Sequence, residues 1–346
     1  MNTEEPLVSI IILNYNAGKL IENCIESIHK SDYKNFEIIL VDNVSTDNSQ
    51  NKCKKKFPEI KLIQNQENLG YCGGNNIGIK TAKGEFIVIL NPDTIVEKSW
   101  LKEFLQEYKK IGLGLYQPKL LALDDTSRIN SAGNMIQIFG FGYSFGKGEK
   151  ENSNHDKNYL INYASGACLF TTKQVLEKIG FFDDFLFAYH DDLELGWRAR
   201  QLGIKSHYVP RCVVYHAESF SFGWSKKKYF LLERNRHYCL LTHYSRKTFF
   251  KMLPSLIIIE IIVIMFYLSK GMIKEKIEGY SNILKNWNGI KKKYLEIESK
   301  KEIKDVEIIK EFKNQIEIPS IVTGRIYSKK INYILNILSK FFIKIL

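Results

Sequence analysis

Five consecutive apolar residues, Phe86 to Leu90 (FIVIL), run directly into Asn91-Pro92-Asp93. A run this short, rich in β-branched residues and closed by a turn, reads as a strand buried on both faces of a sheet. Val8–Leu13 (VSIIIL) and Phe36–Val41 (FEIILV) have the same character. Between them Leu20, Ile21, Cys24, Ile25 and Ile28 recur at helical spacing, giving a strand-helix-strand unit. Ile60–Ile63 reads as a further strand, and Asn75–Lys83 as the helix ahead of FIVIL. Strands alternating with helices predict an α/β fold with a doubly wound, mostly parallel sheet. Ligands bind such sheets beyond the carboxyl ends of the strands. The segments to inspect are therefore Asn14–Asn16, Asp42–Asp47 and Asn91–Asp93.

The remaining landmarks bound the chain. Its 346 residues, 45% hydrophobic and 25% charged, suffice for one large domain plus an appendage. Cys24, Cys53, Cys72, Cys168, Cys212 and Cys239 form no CxxC pair, so a reducing compartment is expected. The start, MNTEEPLVS, is acidic and has neither the basic region nor the apolar run of a secretory signal, which predicts a cytoplasmic catalytic part. Ser99 is placed to cap a helix carrying Trp100, Leu101, Phe104, Leu105 and Tyr108. Gly133–Gly148 reads as a loop or hairpin.

Several residues can carry chemistry. Asp93, projecting from a strand's carboxyl edge, can hold Mg²⁺ or Mn²⁺ against two phosphate oxygens; Asn-Pro-Asp is equally good turn chemistry. Asp42 ends the second strand, where it can accept from a base or a ribose, beside Ser45, Asp47 and Asn48, which suit a turn and a cap. Asn68–Gly78 (NLGYCGGNNIG) is a Gly-rich loop whose backbone can approach an anion, with Asn68, Gly74 and either Asn75 or Asn76 as donor contacts. Asp191, Asp192 and Glu194 crowd the start of a helix next to Tyr189 and His190. The helix dipole alone favours acids there, but one carboxylate facing a cleft can also take a proton from an attacking hydroxyl. Glu194, Trp197 and Tyr189 would then contact the acceptor. His216, after the strand-like RCVVY, is either a satisfied structural histidine or a metal ligand. Arg234 and Arg236 are either solvated charges or a clamp on a diphosphate.

Taken together, VSIIILNYN (8–16), VDNVSTDNS (41–49), NLGYCGGNNIG (68–78), ILNPDT (89–94), SGACLF (165–170), DDLELGWRARQLG (from 191) and ERNR (from 233) resemble the family 2 glycosyltransferases, in particular their rhamnosyltransferase-like branch. The resemblance implies a GT-A fold over residues 1–245, a nucleoside-diphosphate-sugar donor, and inversion at the anomeric carbon. It implies base contacts from Leu13, Asn14 and Tyr15 and from Asp42, Asp93 as principal metal ligand with His216 as a further one, and Asp192 as general base supported by Asp191. The family's metal motif is often Asp-x-Asp, whereas Asn91 stands first here. The processive Gln-x-x-Arg-Trp motif is absent, so transfer of a single sugar is expected. Displacement with inversion needs base and metal on opposite faces of the ring, which puts the Asp93 and Asp192 carboxylates roughly 6 to 12 Å apart.

The last hundred residues, 246–346, change character. Leu253–Leu268 is apolar over some 16 residues, short of the roughly 20 a span needs, and Glu260 interrupts it. Lys330–Leu346 mixes Lys with Ile, Leu and Phe as interfacial helices do. Residues 270–346 hold 17 Lys and Arg against 9 Asp and Glu, which accounts for much of the net charge of +12. A basic excess beside apolar segments suits an anionic membrane surface better than nucleic acid. A helical extension associating with the inner membrane face, peripherally or as a monotopic segment, and a glycan or lipid-linked acceptor, are expected. A nucleotidyltransferase would carry a Gly-rich, Arg-containing loop after the first strand, which LNYNAGKL does not supply. A non-catalytic sugar-binding relative would not need the acids at 191–194.

Overall fold

The computed structural model describes residues 5–217, 225–317 and 325–346, with backbone alone over 325–328. The chain forms two compact units. The first comprises Met1–Asn134, Ser144–Gly196 and Ile204–Ser221; the second comprises Met135–Tyr143, Trp197–Gly203 and Phe222–Leu346. The helical part thus begins ahead of the boundary expected after residue 245 and takes in two short earlier segments.

In the first unit β1 (Val8–Asn14), α1 (Lys19–His29), β2 (Phe36–Asp42), α2 (Ser49–Lys56), β3 (Lys61–Gln64), α3 (Gly70–Thr81) and β4 (Phe86–Leu90) alternate as the apolar runs predict. There follow β5 (Thr94–Val96), α4 (Trp100–Ile111), β6 (Gly114–Ala122) and β7 (Ile129–Ser131); next in the chain, β8 (Asn134–Ile136) and β9 (Gly142–Ser144), which fall mostly in the second unit, pair as the expected hairpin. The order closes with β10 (Tyr159–Ile161), β11 (Cys168–Thr172), α5 (Lys173–Ile179), α6 (Asp191–Gln201), whose later turns belong to the second unit, and β12 (Lys205–His216).

The sheet runs β10-β12-β6-β11-β4-β1-β2-β3. β4, β1, β2 and β3 are mutually parallel, β12 is parallel to β6, and β11 is antiparallel to both its neighbours. Parallel register levels the carboxyl ends: Asn14 faces Asp42, and Ile12 faces Leu90. One face of the sheet packs Ile10, Ile12, Leu40, Val88 and Leu90 against α1 and α4 through Ile21, Ile25, Trp100 and Phe104, all buried.

Two local expectations change. Ser99 precedes α4 in a helical conformation and makes no side-chain cap bond. The Gly-rich run is not a loop before a helix; it is the body of α3. A β-carbon at Gly74 would fall 2.3 Å from Leu13 Cδ1, and one at Gly78 2.4 Å from Ile11 Cγ2. These glycines let the helix lie close against β1, which replaces the anion-cradling role expected of Gly74.

The second unit is helical: α7 (Lys226–His243), α8 (Arg246–Ser269), α9 (Ile273–Lys285), α10 (Trp287–Lys300), α11 (Asp305–Glu311) and α12 (Arg325–Ile345). The apolar stretch expected to be about 16 residues belongs to a 24-residue helix that continues through Pro254.

Candidate active site

β4 ends, the chain turns through Asn91-Pro92-Asp93, and β5 pairs antiparallel with the end of β12, setting Thr94 opposite His216. The ladder is extended by the Ala217 N–H donating to the Asp93 carbonyl at 3.0 Å. This pairing delivers the His216 imidazole to Asp93: Nε2 stands 3.5 Å from Asp93 Oδ1. The separation is too long for a good hydrogen bond, and Asp93 Oδ1 is buried with no hydrogen-bond partner among the described residues. On its other side the ring meets Asn130 Oδ1 through Nδ1 at 3.1 Å. An Nδ1–H donated to Asn130 leaves the Nε2 lone pair facing Asp93. An orphaned carboxylate oxygen beside an imidazole lone pair fits a divalent cation, the orientation being fixed from behind as in known histidine metal sites.

The second acid group approaches the same end of the sheet. Antiparallel register sets Cys168 of β11 opposite Leu90 of β4, and the Asn91 N–H donates to the Ala167 carbonyl at 2.9 Å. One residue earlier, the Gly166 N–H donates to Asp192 Oδ2 at 3.0 Å, while Leu193 N–H donates to Oδ1 at 2.8 Å. The Gly166 carbonyl accepts from Tyr71 Oη at 2.6 Å. Gly166 therefore links α3, β11 and α6. A β-carbon there would lie 2.6 Å from Tyr71 Oη.

α6 is entered through a turn in which Phe187, Tyr189 and His190 all take positive φ, at 64°, 65° and 60°. Side chains other than glycine rarely adopt that region, and such residues cost about 1–3 kcal/mol each where the surroundings hold them. Here the Phe187 carbonyl accepts from the Cys72 N–H of α3 at 3.2 Å. The turn leaves Asp191 buried and Asp192 partly exposed. Burial raises the Asp192 carboxyl above its ordinary range, against the backbone donors that pull it down. Asp191 is raised well above its ordinary range by burial and then by the charge of Asp192. Both carboxyls are thus raised, Asp191 the more strongly, while the backbone N–H groups that reach Asp192 work against its rise. The Tyr189 phenol is pushed up to about 12 by burial and by Asp191.

At the ends of β1 and β2, Leu13 is half-buried and Tyr15 exposed. Asn14 and Asp42 are buried and committed to one another: Asn14 Nδ2 donates to Asp42 Oδ1 at 2.8 Å, to Ser45 Oγ and to Ser49 Oγ, and Asp42 Oδ2 accepts the Ser45 N–H at 3.0 Å. Val44, a β-branched residue, holds φ at 62° in this turn while exposed. Asn68 Oδ1 accepts from the Gly70 N–H at 2.9 Å and acts within the turn before α3. Asn75 is buried; its amide donates to the Tyr71 carbonyl at 2.9 Å and its Oδ1 makes no hydrogen bond among the described residues. Asn91 is half-buried beside Asp93.

Other expected site residues are placed differently. Glu194 is fully buried. Trp197 is also fully buried, its ring packed in the helical unit by His243, Tyr244 and Phe312 with centroids about 5 Å away, so it has no surface to offer an acceptor. Arg236, expected on a diphosphate, is buried in that same unit and bonded to Glu233, Glu260 and the Phe139 carbonyl. Arg234 is buried there too, its Nε donating to Asn235 Oδ1 at 2.9 Å. Glu233, His237 and Glu260 bring donor atoms within 4.8 Å of one another. Their carboxylates already receive Arg236 and Lys276, so two cations occupy what a metal would need. Gly166, Tyr71 and Asn130 were not singled out by their residue types; the first acts through backbone, and the others through contacts distant in sequence.

Residues 9–180 match the model of the family described as Glycosyl transferase family 2. Over 217 residues the chain is 26% identical to the low-salt glycan biosynthesis hexosyltransferase Agl10 of Haloferax volcanii, covering 61% of this chain and 66% of that protein. Over 239 residues it is 23% identical to the N-acetylglucosaminyl-diphospho-decaprenol L-rhamnosyltransferase of Mycobacterium tuberculosis, covering 63% of this chain and 78% of the relative. Four other curated relatives are matched over only part of their length, the chain spanning 18% to 36% of them. Among solved structures, GalNAc-T7 with UDP, GalNAc and Mn²⁺ aligns with a TM-score of 0.59 at 16% identity, over 73% of this chain and 51% of that one. The sheet order, the Asp93 turn and the family match agree: the chain carries a family 2 glycosyltransferase domain on a GT-A fold.

Proposed function

We propose that the protein transfers one sugar, with inversion, from a nucleoside-diphosphate sugar to a hydroxyl of a glycan acceptor carried on a lipid at the cytoplasmic face of the membrane. A dTDP- or UDP-sugar is the donor, rhamnose being the sugar that the rhamnosyltransferase-like branch suggests. One observation carries this reading: an Asp93 oxygen without a hydrogen-bond partner among the described residues stands 3.5 Å from His216 Nε2, at the strand edge from which Gly166 holds Asp192.

Asp93 and His216 would hold Mg²⁺ or Mn²⁺, which when bound supplies positive charge to the departing diphosphate. Leu13 and Tyr15 flank the base, and Asp42 and Asn14 fix the turn that shapes its pocket. Asn68 holds the entry to α3, and Asn75 offers an unused acceptor to the donor. Asp192 takes the proton of the acceptor hydroxyl as its oxygen attacks the anomeric carbon. Its raised basicity suits that step, since a base titrating nearer neutrality removes a proton more effectively. Asp191, whose carboxyl is the more strongly raised of the pair, shapes that basicity, and Tyr189 lies at the acceptor side.

The test is release of nucleoside diphosphate from UDP-, dTDP- and GDP-sugars with Mn²⁺, with Mg²⁺ and with EDTA. Asp192→Asn should cut turnover by about 10²–10⁴-fold and spare donor binding. Asp93→Ala should weaken metal-supported donor binding. Release of pyrophosphate would indicate a nucleotidyltransferase, and sugar binding without release a non-catalytic relative.

A further inference from the structure

We propose that α8 lies along an anionic lipid bilayer on its outward face and is prevented from crossing it by Glu260. This deepens the membrane placement proposed above, and its failure would leave the transferase reading untouched. By length and composition α8 could span: it has 24 residues, about 36 Å of helix, with a mean hydropathy of 2.3 in its most apolar window, only 22% of which is buried. Its two faces differ, however. Phe250, Ile257, Ile258, Ile261, Met265 and Leu268 fall on one stripe and are exposed, while Met252, Ser255, Leu256, Ile259 and Tyr267 fall on the opposite stripe and are buried.

Glu260 flanks the buried stripe and ties it down. Its carboxylate accepts from Arg236 of α7, from Lys276 Nζ at 2.7 Å and from Tyr280 Oη at 2.6 Å, the last two on α9. Tyr267 Oη donates to the Tyr229 carbonyl of α7 at 2.9 Å. A crossing helix would have to surrender all of these, leaving a carboxylate in hydrocarbon and two cations without it. Lying in the interface surrenders none.

Charge selects the occupant. Exposed Lys247 shares the apolar stripe of α8 and exposed Lys270 follows its end. On α12 the exposed stripe interleaves Tyr333, Ile337 and Phe341 with Lys340 and Lys344, over a buried stripe of Leu335, Leu338, Ser339 and Phe342. Cations among exposed aliphatic and aromatic groups suit acidic headgroups above acyl chains. A second copy of a chain with net charge +12 would be repelled by the same lysines.

The experiment uses the full chain and vesicles of mixed phosphatidylglycerol and phosphatidylcholine. The protein should pellet with them, and bind pure phosphatidylcholine about tenfold or more weakly. Ile257→Glu/Ile261→Glu, at sites 58% and 53% exposed, should abolish pelleting with an unchanged unfolding midpoint. Orientation is read by Lys247→Cys and Ser269→Cys added to preformed vesicles, since all six native cysteines are buried. Labelling of both positions by an impermeant maleimide from outside supports an in-plane helix. Protection of one end, equal binding to uncharged vesicles, or a lipid-free dimer that the double substitution dissociates while vesicle binding persists, overturns the proposal.

Discussion

The two units each bury a cluster of acids, and the clusters are treated in opposite ways. In the helical unit Glu233 and Glu260 receive Arg236, His237 and Lys276, and although burial opposes ionisation, these partners hold both carboxyls well below the usual range. In the sheet unit Asp191 and Asp192 are stabilised by backbone N–H groups, and burial wins, so both carboxyls rise. What separates a latch from the proposed base is the nature of the donors. Fixed cations hold a carboxylate permanently charged, whereas amide dipoles leave its proton affinity adjustable.

The most disruptive way to break this contrast is Lys276→Met, which strands carboxylates that two cations now share. Removing one partner of a buried ion pair costs about 3–5 kcal/mol, read as a shift of the urea midpoint; a change near zero would mean the network is not a latch. Next in size, Asn130→Ala removes the group behind His216 and should weaken Mn²⁺ binding about 10–100-fold, measured by metal titration without donor. The smallest effect sharpens the contrast through pH. Asp191 binds its proton more tightly folded than unfolded, so its contribution to stability is complete below the unfolded value near 4 and is lost as pH rises toward the folded one. Asp191→Asn should therefore melt higher than the parent at neutral pH, the gap closing in acid. Glu233 and Glu260 work in the other sense, adding stability that disappears as pH falls.

The sheet was legible because its strands are continuous apolar runs, and the Asp93 turn because Asn-Pro-Asp closes one of them. Helical periodicity limits the reading at α6. Trp197, five residues beyond Asp192, lies roughly 140° around the helix, and Glu194 roughly 200°. Both sit away from the face that Asp192 presents, and both are buried. α8 was read short because its first turns, RKTFFKM, are not apolar enough to extend a hydropathy run and because Pro254 looks like a boundary, yet the helix passes through both. Arg236 was misplaced since nothing near it in sequence announces Glu260, 24 residues on, or Lys276 beyond that. Gly166 could not be weighed, since a backbone N–H leaves no signature in residue type.

That glycine has a practical consequence for anyone diversifying the scaffold toward new donors. Position 166 tolerates no added carbon without displacing Tyr71, and Tyr71 cannot shift without disturbing the peptide that steers Asp192. Libraries should hold those three invariant and spend their variety on the exposed rim around Tyr15 and Val44.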